Sequence, residues 1–225
     1  MTKHLETRIL SLMRDAITLQ LWHLGAVAVN LEEPYRLVSG NSSPIYVNCR
    51  QLISSPTFVD LFCTAMRVLS STEEIQFDAV AGGETAGIPF AAFVARHFGS
   101  PMLYARKAAK EHGTRSQIEG KVHSGARVVL IEDLVTDAGS KLTFVDALRG
   151  AGYIVDHVVV VFDRQQGGRE SLARHGITLH ALADMESALA VAERVSLLSS
   201  DQLSEVTAYL KSPAEWHTQR GLSFS

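Results

Sequence analysis

Two apolar runs constrain the fold of this chain more than any other feature: Arg127-Val-Val-Leu-Ile131 and Val155–Phe162. Both are short and rich in β-branched residues, and neither alternates polar with apolar positions. They therefore read as strands covered on both faces. Between them, Ser140–Arg149 has helical spacing, which makes a parallel strand pair joined by a helical crossover. The alternation extends upstream through an apolar run at Phe77–Ala81, an Ala-rich helix at Gly87–Phe98 and a short strand at Met102–Ala105. Downstream, Ile177–Ala181 reads as an edge strand, and Met185–Arg194 and Gln202–Leu210 as helices. The fold class is α/β, with a central, mostly parallel sheet flanked by helices.

The N-terminal part differs. Leu5, Ile9, Leu12, Met13, Ala16, Leu19 and Leu24 fall at helical spacing, predicting an amphipathic helix to about His23 that Gly25 stops. Two extended pieces follow, Ala26–Val29 and Ile45–Cys49, around the turn-rich Ser39–Pro44. Ser55 and Pro56 then suit the cap and first position of a helix to about Leu69. The 225 residues are expected to form a single domain. Residues 1–55 would be a small hood-like element, 56–182 the core and 183–225 C-terminal helices, with Trp216 a packing residue.

With 21 basic and 24 acidic residues the net charge is −3, which argues against nucleic acid as a partner. Cys49 and Cys63 have no metal-ligand spacing and fit free thiols in a reducing, cytoplasmic setting. No apolar run approaches the roughly 18 residues that span a bilayer, so no membrane association is expected.

The chemistry concentrates in Val128–Ser140. A buried strand leads into two adjacent carboxylates, Glu132 and Asp133, then through a small-residue loop into a helix. Ligands collect at the carboxyl ends of parallel strands. Thr136–Ser140 lies at a helix start, where free N–H groups favour a phosphate. The two acids suit a sugar diol, since carboxylates accept hydrogen bonds from hydroxyls. Together they describe a site for a ribose 5-phosphate; the bland alternative makes Asp133 or Thr136 a helix cap. The polar stretch Arg106–His123, with almost no large apolar residue except Ile118, is long for a connection between two strands. It suits a binding loop or lid, or else a solvated surface loop or short hairpin.

The Val128–Ser140 segment resembles the phosphoribosyl-diphosphate signature of the type I phosphoribosyltransferases, and the remaining blocks are similar to the orotate phosphoribosyltransferase family. Tyr35–Arg50 resembles that family's N-terminal motif, and Ala81-Gly-Gly-Glu-Thr-Ala-Gly-Ile-Pro-Phe-Ala91 its diphosphate-side loop. Tyr104–Gly113 with Ile118-Glu-Gly120 resembles its catalytic loop, and Val161-Phe-Asp-Arg-Gln165 its late base-binding strand end. The resemblance implies the type I phosphoribosyltransferase fold and transfer of a phosphoribosyl group from phosphoribosyl diphosphate to orotate, toward UMP.

By the same resemblance Glu132 and Asp133 would hold the ribose hydroxyls, with Leu134 and Val135 beside them. Thr136, Asp137, Ala138, Gly139 and Ser140 would cradle the 5′-phosphate. Arg106, Lys107, Lys110 and His112 would meet the diphosphate, while Thr136 and Arg164 would touch orotate. Lys107, Lys110, His112 and Asp133 form the catalytic set. Mg²⁺ would arrive on the donor's diphosphate, with no residue of the chain assigned as its ligand. A homodimer is implied, each loop closing over the partner's site.

Three positions depart from the family pattern: Val38 stands for a common Lys, Ala86 for a Lys found in some members, and Ala138 for a Gly. Ala138 tolerates positive φ poorly, and Asp137 adds negative charge beside the phosphate loop. Alternatives are transfer to another base, and a non-catalytic nucleotide-sensing regulator. A dinucleotide enzyme is disfavoured, because no Gly-x-Gly-x-x-Gly follows a strand.

Overall fold

The computed structural model describes residues 3–37, 39–108 and 116–224. In chain order the elements are α1 (Lys3–His23), β1 (Val27–Val29), β2 (Tyr35–Arg36), β3 (Ser42–Ser43) and β4 (Ile45–Val47). A 3₁₀ turn over Cys49–Ser54 leads to α2 (Pro56–Thr72), β5 (Ala79–Gly83), α3 (Gly87–Phe98), β6 (Met102–Ala105) and β7 (Ile118–Glu119). Then follow β8 (Val128–Val135), α4 (Gly139–Gly150), β9 (His157–Asp163), α5 (Gly168–Ala173) and β10 (Thr178–Asp184). The helices α6 (Met185–Arg194), α7 (Ser200–Lys211) and α8 (Pro213–Gln219) close the chain.

The main sheet has six strands in the order β10-β9-β8-β5-β6-β7, parallel except for the β6–β7 pair. Sequential crossovers run outward in opposite directions from β5 and β8. The boundary between these two strands is therefore the switch point at which ligands bind in such sheets. Strand pleating sends alternate residues to opposite layers. On β8, Val129 and Ile131 join Phe58, Phe62, Met66 and Phe90 on one face. Val128 and Leu130 join Phe144, Val145, Leu148 and Leu172 on the other. Both faces are thus covered, as the unbroken apolar runs require.

The helix-start signals operate as read. The Ser55 hydroxyl accepts a hydrogen bond from the Phe58 N–H, with Pro56 at the first helical position; such a cap contributes about 1 kcal/mol. Gly25 takes φ +69° just beyond α1, a left-handed turn that glycine adopts without strain. Ile177–Ala181 corresponds to β10, which does lie at an edge, and Trp216 is fully packed at 2% exposure.

Two expectations need correcting. The helix face through Leu5, Leu12 and Leu19 is turned outward, at 45%, 68% and 36% exposure. The face that packs carries Leu10, Ile17 and Leu21, with Trp22 donating its indole N–H to the Ala188 carbonyl of α6 at 3.0 Å. The buried strand expected over Arg127–Ile131, with the two acids at its end, runs on to Val135, so Glu132 and Asp133 lie within the strand. Two small antiparallel ladders, β1–β4 and β2–β3, form the element over residues 27–47. Its hairpin is tied to the other end of the chain, because the Ser42 N–H donates to His217 Nε2 of α8 at 3.1 Å.

Candidate active site

A cavity of about 350 Å³ opens at the carboxyl ends of β5 and β8. Val47, Asn48 and Arg50 border it from the N-terminal element, and Glu84, Thr85 and Ala86 from the turn before α3. Lys107, Glu132, Asp133, Leu134, Ser140, Lys141 and Phe144 complete its wall.

Because β8 continues through the acids, neighbouring side chains point to opposite sides and the two carboxylates have different surroundings. Glu132 is turned inward. Its Oε1 accepts from the Gly83 N–H at 2.9 Å and its Oε2 pairs with Lys141 Nζ at 2.9 Å, both charged side chains being almost fully buried. Gly83 and Gly87 make the room: a Cβ at either would collide with this carboxylate, and one at Gly87 would also sit 2.6 Å from the Ile131 carbonyl oxygen. Burial raises the Glu132 pKa above the ordinary range, outweighing the opposing charge of Lys141. Asp133 makes no hydrogen bond through its carboxylate among the described residues and borders the open space. Beneath it Cys49 is buried, and burial, helped by the Asp133 charge, lifts its thiol pKa well above normal.

The loop into α4 takes the shape its sequence suggested. Ala138 adopts φ +72° and ψ 5°, the left-handed conformation that glycine accepts more easily. Asp137 Oδ1 accepts from the Gly139 N–H at 3.0 Å, so one donor of the helix start is already engaged. Ser140 and Lys141 follow, and their N–H groups lie in the first turn, where no intrahelical acceptor exists. An anion at this point would meet those amides and the Ser140 hydroxyl.

The basic segment is pinned at its base. The Arg106 N–H donates to the Gln117 carbonyl at 2.8 Å, and the Gln117 amide returns a bond to the Arg106 carbonyl at 2.9 Å. The exposed Lys107 borders the cavity, its backbone N–H donating to Glu84 Oε2 at 2.8 Å. Lys110 and His112, like Val38, lie outside the described residues.

The residues expected at orotate are not brought to this cavity. Thr136 does not border it, and Arg164 lines a separate space of about 230 Å³ with Met185, Leu189 and Leu210. Arg164 is held by its backbone N–H on the Val135 carbonyl at 3.0 Å, while its Nε is buried without a partner. Conversely, sequence reasoning passed over Lys141 and Phe144 as wall residues, and reached Glu84, Thr85, Asn48 and Arg50 only as members of longer motifs. Arg50 Nε donates to Asn48 Oδ1 at 3.3 Å, so the two act as one polar edge.

A doubly covered parallel sheet, a carboxylate facing the switch point and an anion-suited helix start fit a phosphoribosyltransferase, and the comparisons assign that class. Residues 51–186 match the family model of the phosphoribosyl transferase domain. The chain is 43% identical over 215 residues to an orotate phosphoribosyltransferase of Rhizobium meliloti (strain 1021), covering 94% of this chain and 93% of the relative. An enzyme of the same name from Sinorhizobium fredii (strain NBRC 101917 / NGR234) matches equally, at 43% over the same shares. Among solved structures, the orotate phosphoribosyltransferase of Aeropyrum pernix superposes with a TM-score of 0.66 at 28% identity, over 80% of this chain and 99% of that one. A UMP synthase of Leishmania donovani superposes at 0.73 and 27% identity over 88% of this chain, which spans only 42% of that longer protein. This chain belongs to the orotate phosphoribosyltransferase family.

Proposed function

We propose that the protein transfers the 5-phosphoribosyl group from phosphoribosyl diphosphate to orotate, releasing diphosphate and orotidine 5′-monophosphate for UMP synthesis. The observation that carries this reading is the cavity between β5 and β8. It sets the Asp133 carboxylate beside the Ser140–Lys141 helix start, within a chain 43% identical to named orotate phosphoribosyltransferases. Asp133 receives the ribose hydroxyls, and the loop from Thr136 to Ser140 receives the 5′-phosphate. Glu132 supports from behind: tied to Gly83 and Lys141, it fixes the end of β5 against the start of α4.

Breaking the anomeric bond passes through an oxocarbenium-like state while charge gathers on the departing diphosphate. Lys107 at the cavity rim, with Arg106 and Lys110 of the same segment, supplies the preplaced positive charge that lowers this barrier, and His112 donates a proton or hydrogen bond to the departing diphosphate. Closure of that segment excludes water from the activated sugar. Family resemblance keeps Arg164 and Thr136 as the proposed contacts for the orotate carboxylate and ring although neither borders the cavity, Arg164 offering a buried Nε without an acceptor. A divalent ion fits the donor set. Glu132 is consumed by Lys141, which leaves Glu84 and Asp133 as the carboxylates bordering the space, and Mg²⁺ commonly binds through one or two carboxylates plus substrate phosphates. Mg²⁺ bound on the donor would neutralise part of the diphosphate charge. The working assembly is a homodimer sharing the basic segment between subunits, in the cytoplasm. Two free, buried cysteines support that compartment.

The test follows orotate absorbance with purified protein, phosphoribosyl diphosphate and Mg²⁺, with and without a chelator. Chelator-sensitive loss of orotate, reversed by added diphosphate, is expected. Donor-dependent consumption of a different base would move the substrate, and donor binding without turnover of any base would leave a sensor.

A further inference from the structure

A second cavity, of about 370 Å³, runs along the outer edge of β10, and none of its lining residues borders the first. Two arginines and a histidine reach it from three elements: Arg14 of α1, Arg169 of α5 and His180 of β10. The Arg14 Nε is buried without a hydrogen-bond partner. Arg14 takes part in none of the ion pairs found among the described residues. A buried donor of this kind carries its desolvation penalty until an acceptor arrives. Arg169 donates from Nη1 to the Leu179 carbonyl at 2.7 Å and lies 3.4 Å from Asp163, yet its side chain stays half exposed toward the cavity. His180 is 7% exposed, and its Nε2 lies 3.1 Å from His157 Nδ1. One of these ring nitrogens donates to the other, which leaves the remaining nitrogens for other partners. The acids nearby do not quench the arginine: Asp184 caps α6 through the Ser187 N–H at 2.7 Å, and Glu73 is exposed beyond the end of α2.

We propose that this cavity is a second anion-binding site, taking a small molecule that bears a phosphate or carboxylate, with Arg14 and Arg169 as cations and His180 as a further donor. Its volume lies within the range of about 300–1,000 Å³ typical of small-molecule sites, larger than a lone inorganic ion needs. The charged and titratable groups around His180 agree with this. They are His157 from β9, Arg14 from α1, Arg169 from α5, Asp184 at the end of its own strand and Glu73 beyond α2. Burial, reinforced by His157, Arg169 and Arg14, holds the His180 pKa down at about 4. A bound anion reverses the sign of that local field and draws the imidazole upward, so affinity increases as pH falls.

The experiment is histidine Cε1–H NMR on the full chain, with signals assigned from His180→Gln and His157→Gln. Inorganic phosphate, succinate and a nucleoside monophosphate are titrated separately, against sodium chloride at equal ionic strength. At least one probe should move the His180 signal saturably and raise its pKa by about one unit. Arg14→Gln should abolish the response, and Asp133→Asn, which alters only the first cavity, should leave it unchanged. If Arg14→Gln does not fold, Arg14→Lys keeps the charge but removes the Nε, and should weaken the response several-fold. A phosphate-only response identifies free phosphate as sufficient, and a succinate response identifies carboxylates as ligands; both uphold the site. No saturable shift beyond that of chloride, a full response in the Arg14 variants, or loss of the response in Asp133→Asn overturns it.

Discussion

Replacing Lys141 by methionine tests the buried pair that anchors the wall of the active-site cavity. The Lys141 and Glu132 side chains are 10% and 4% exposed and 2.9 Å apart. Methionine keeps most of the volume but leaves the carboxylate with only the Gly83 N–H as a partner. Removing one member of a buried pair typically costs about 3–5 kcal/mol, because the other charge stays desolvated. At ~2–4 °C per kcal/mol for a chain of this size, Tm at neutral pH should fall by about 6–20 °C. The loss should also depend on pH. The Glu132 pKa is already raised by burial, and without Lys141 it rises further. An acid whose folded pKa lies above its unfolded value stabilises the fold fully only below the unfolded pKa, and that stability is lost as pH rises through the folded pKa. The deficit of Lys141→Met should therefore shrink as the buffer is taken from neutral toward the ordinary Glu pKa of about 4.3. Adding Glu132→Gln should recover most of it at neutral pH. Urea and thermal unfolding across that pH range make the measurement. A deficit below about 1 kcal/mol, the size of an exposed pair, or one that ignores pH, would refute the account.

Further outcomes follow from other residues. Asp133→Asn should lower kcat/KM by about 10- to 150-fold, the worth of a hydrogen bond to a charged group, with Tm nearly unchanged. Gly87→Ala should fail to give soluble protein or lose about 6–12 °C or more in Tm by calorimetry (about 3 kcal/mol or more at the same conversion), since the new Cβ meets the Ile131 carbonyl and the Glu132 carboxylate. Ala138→Gly should stay within about 1 kcal/mol of the parent in urea unfolding, relief of the left-handed strain offsetting the lost methyl and the added chain entropy. Neither cysteine should react with a maleimide in the native state, since Cys49 is buried with a strongly raised pKa and the Cys63 thiol is pushed to about 11 by burial and Asp60. Both should react at once in denaturant.

The sheet was legible because burial on two faces leaves a mark that one face does not. Val128–Ile131 and Val158–Phe162 carry no polar residue, so register hardly matters to the reading. Helix α1 was recognisable as a helix but not in its orientation. It carries two apolar stripes, Leu5–Leu12–Leu19 and Leu10–Ile17–Leu21, and only tertiary packing chooses between them. The acids show a similar limit. Adjacent carboxylates look like a matched pair in sequence, yet a strand continuing to Val135 must turn them apart. Lys141 left no signal, because a lysine in the first turn of a helix is ordinarily solvated and its burial depends on Glu132, nine positions away. Arg164 was read correctly as a strand-end cation, but its side chain lines the space beside α6 rather than the cavity at β5 and β8.

The bond between the Ser42 N–H and His217 joins positions 175 residues apart. On the ribosome, the hairpin of β2 and β3 emerges early but cannot be fastened until α8 has been made. At ~5–20 residues per second that interval is roughly 9–35 s. During it the strands of the main sheet can already pair, so the central layers assemble while this hairpin still lacks its fastening. A nascent chain halted before residue 217 would thus hold much of its folded core with this hairpin unfastened, so the two ends of the chain are joined only when synthesis is nearly complete.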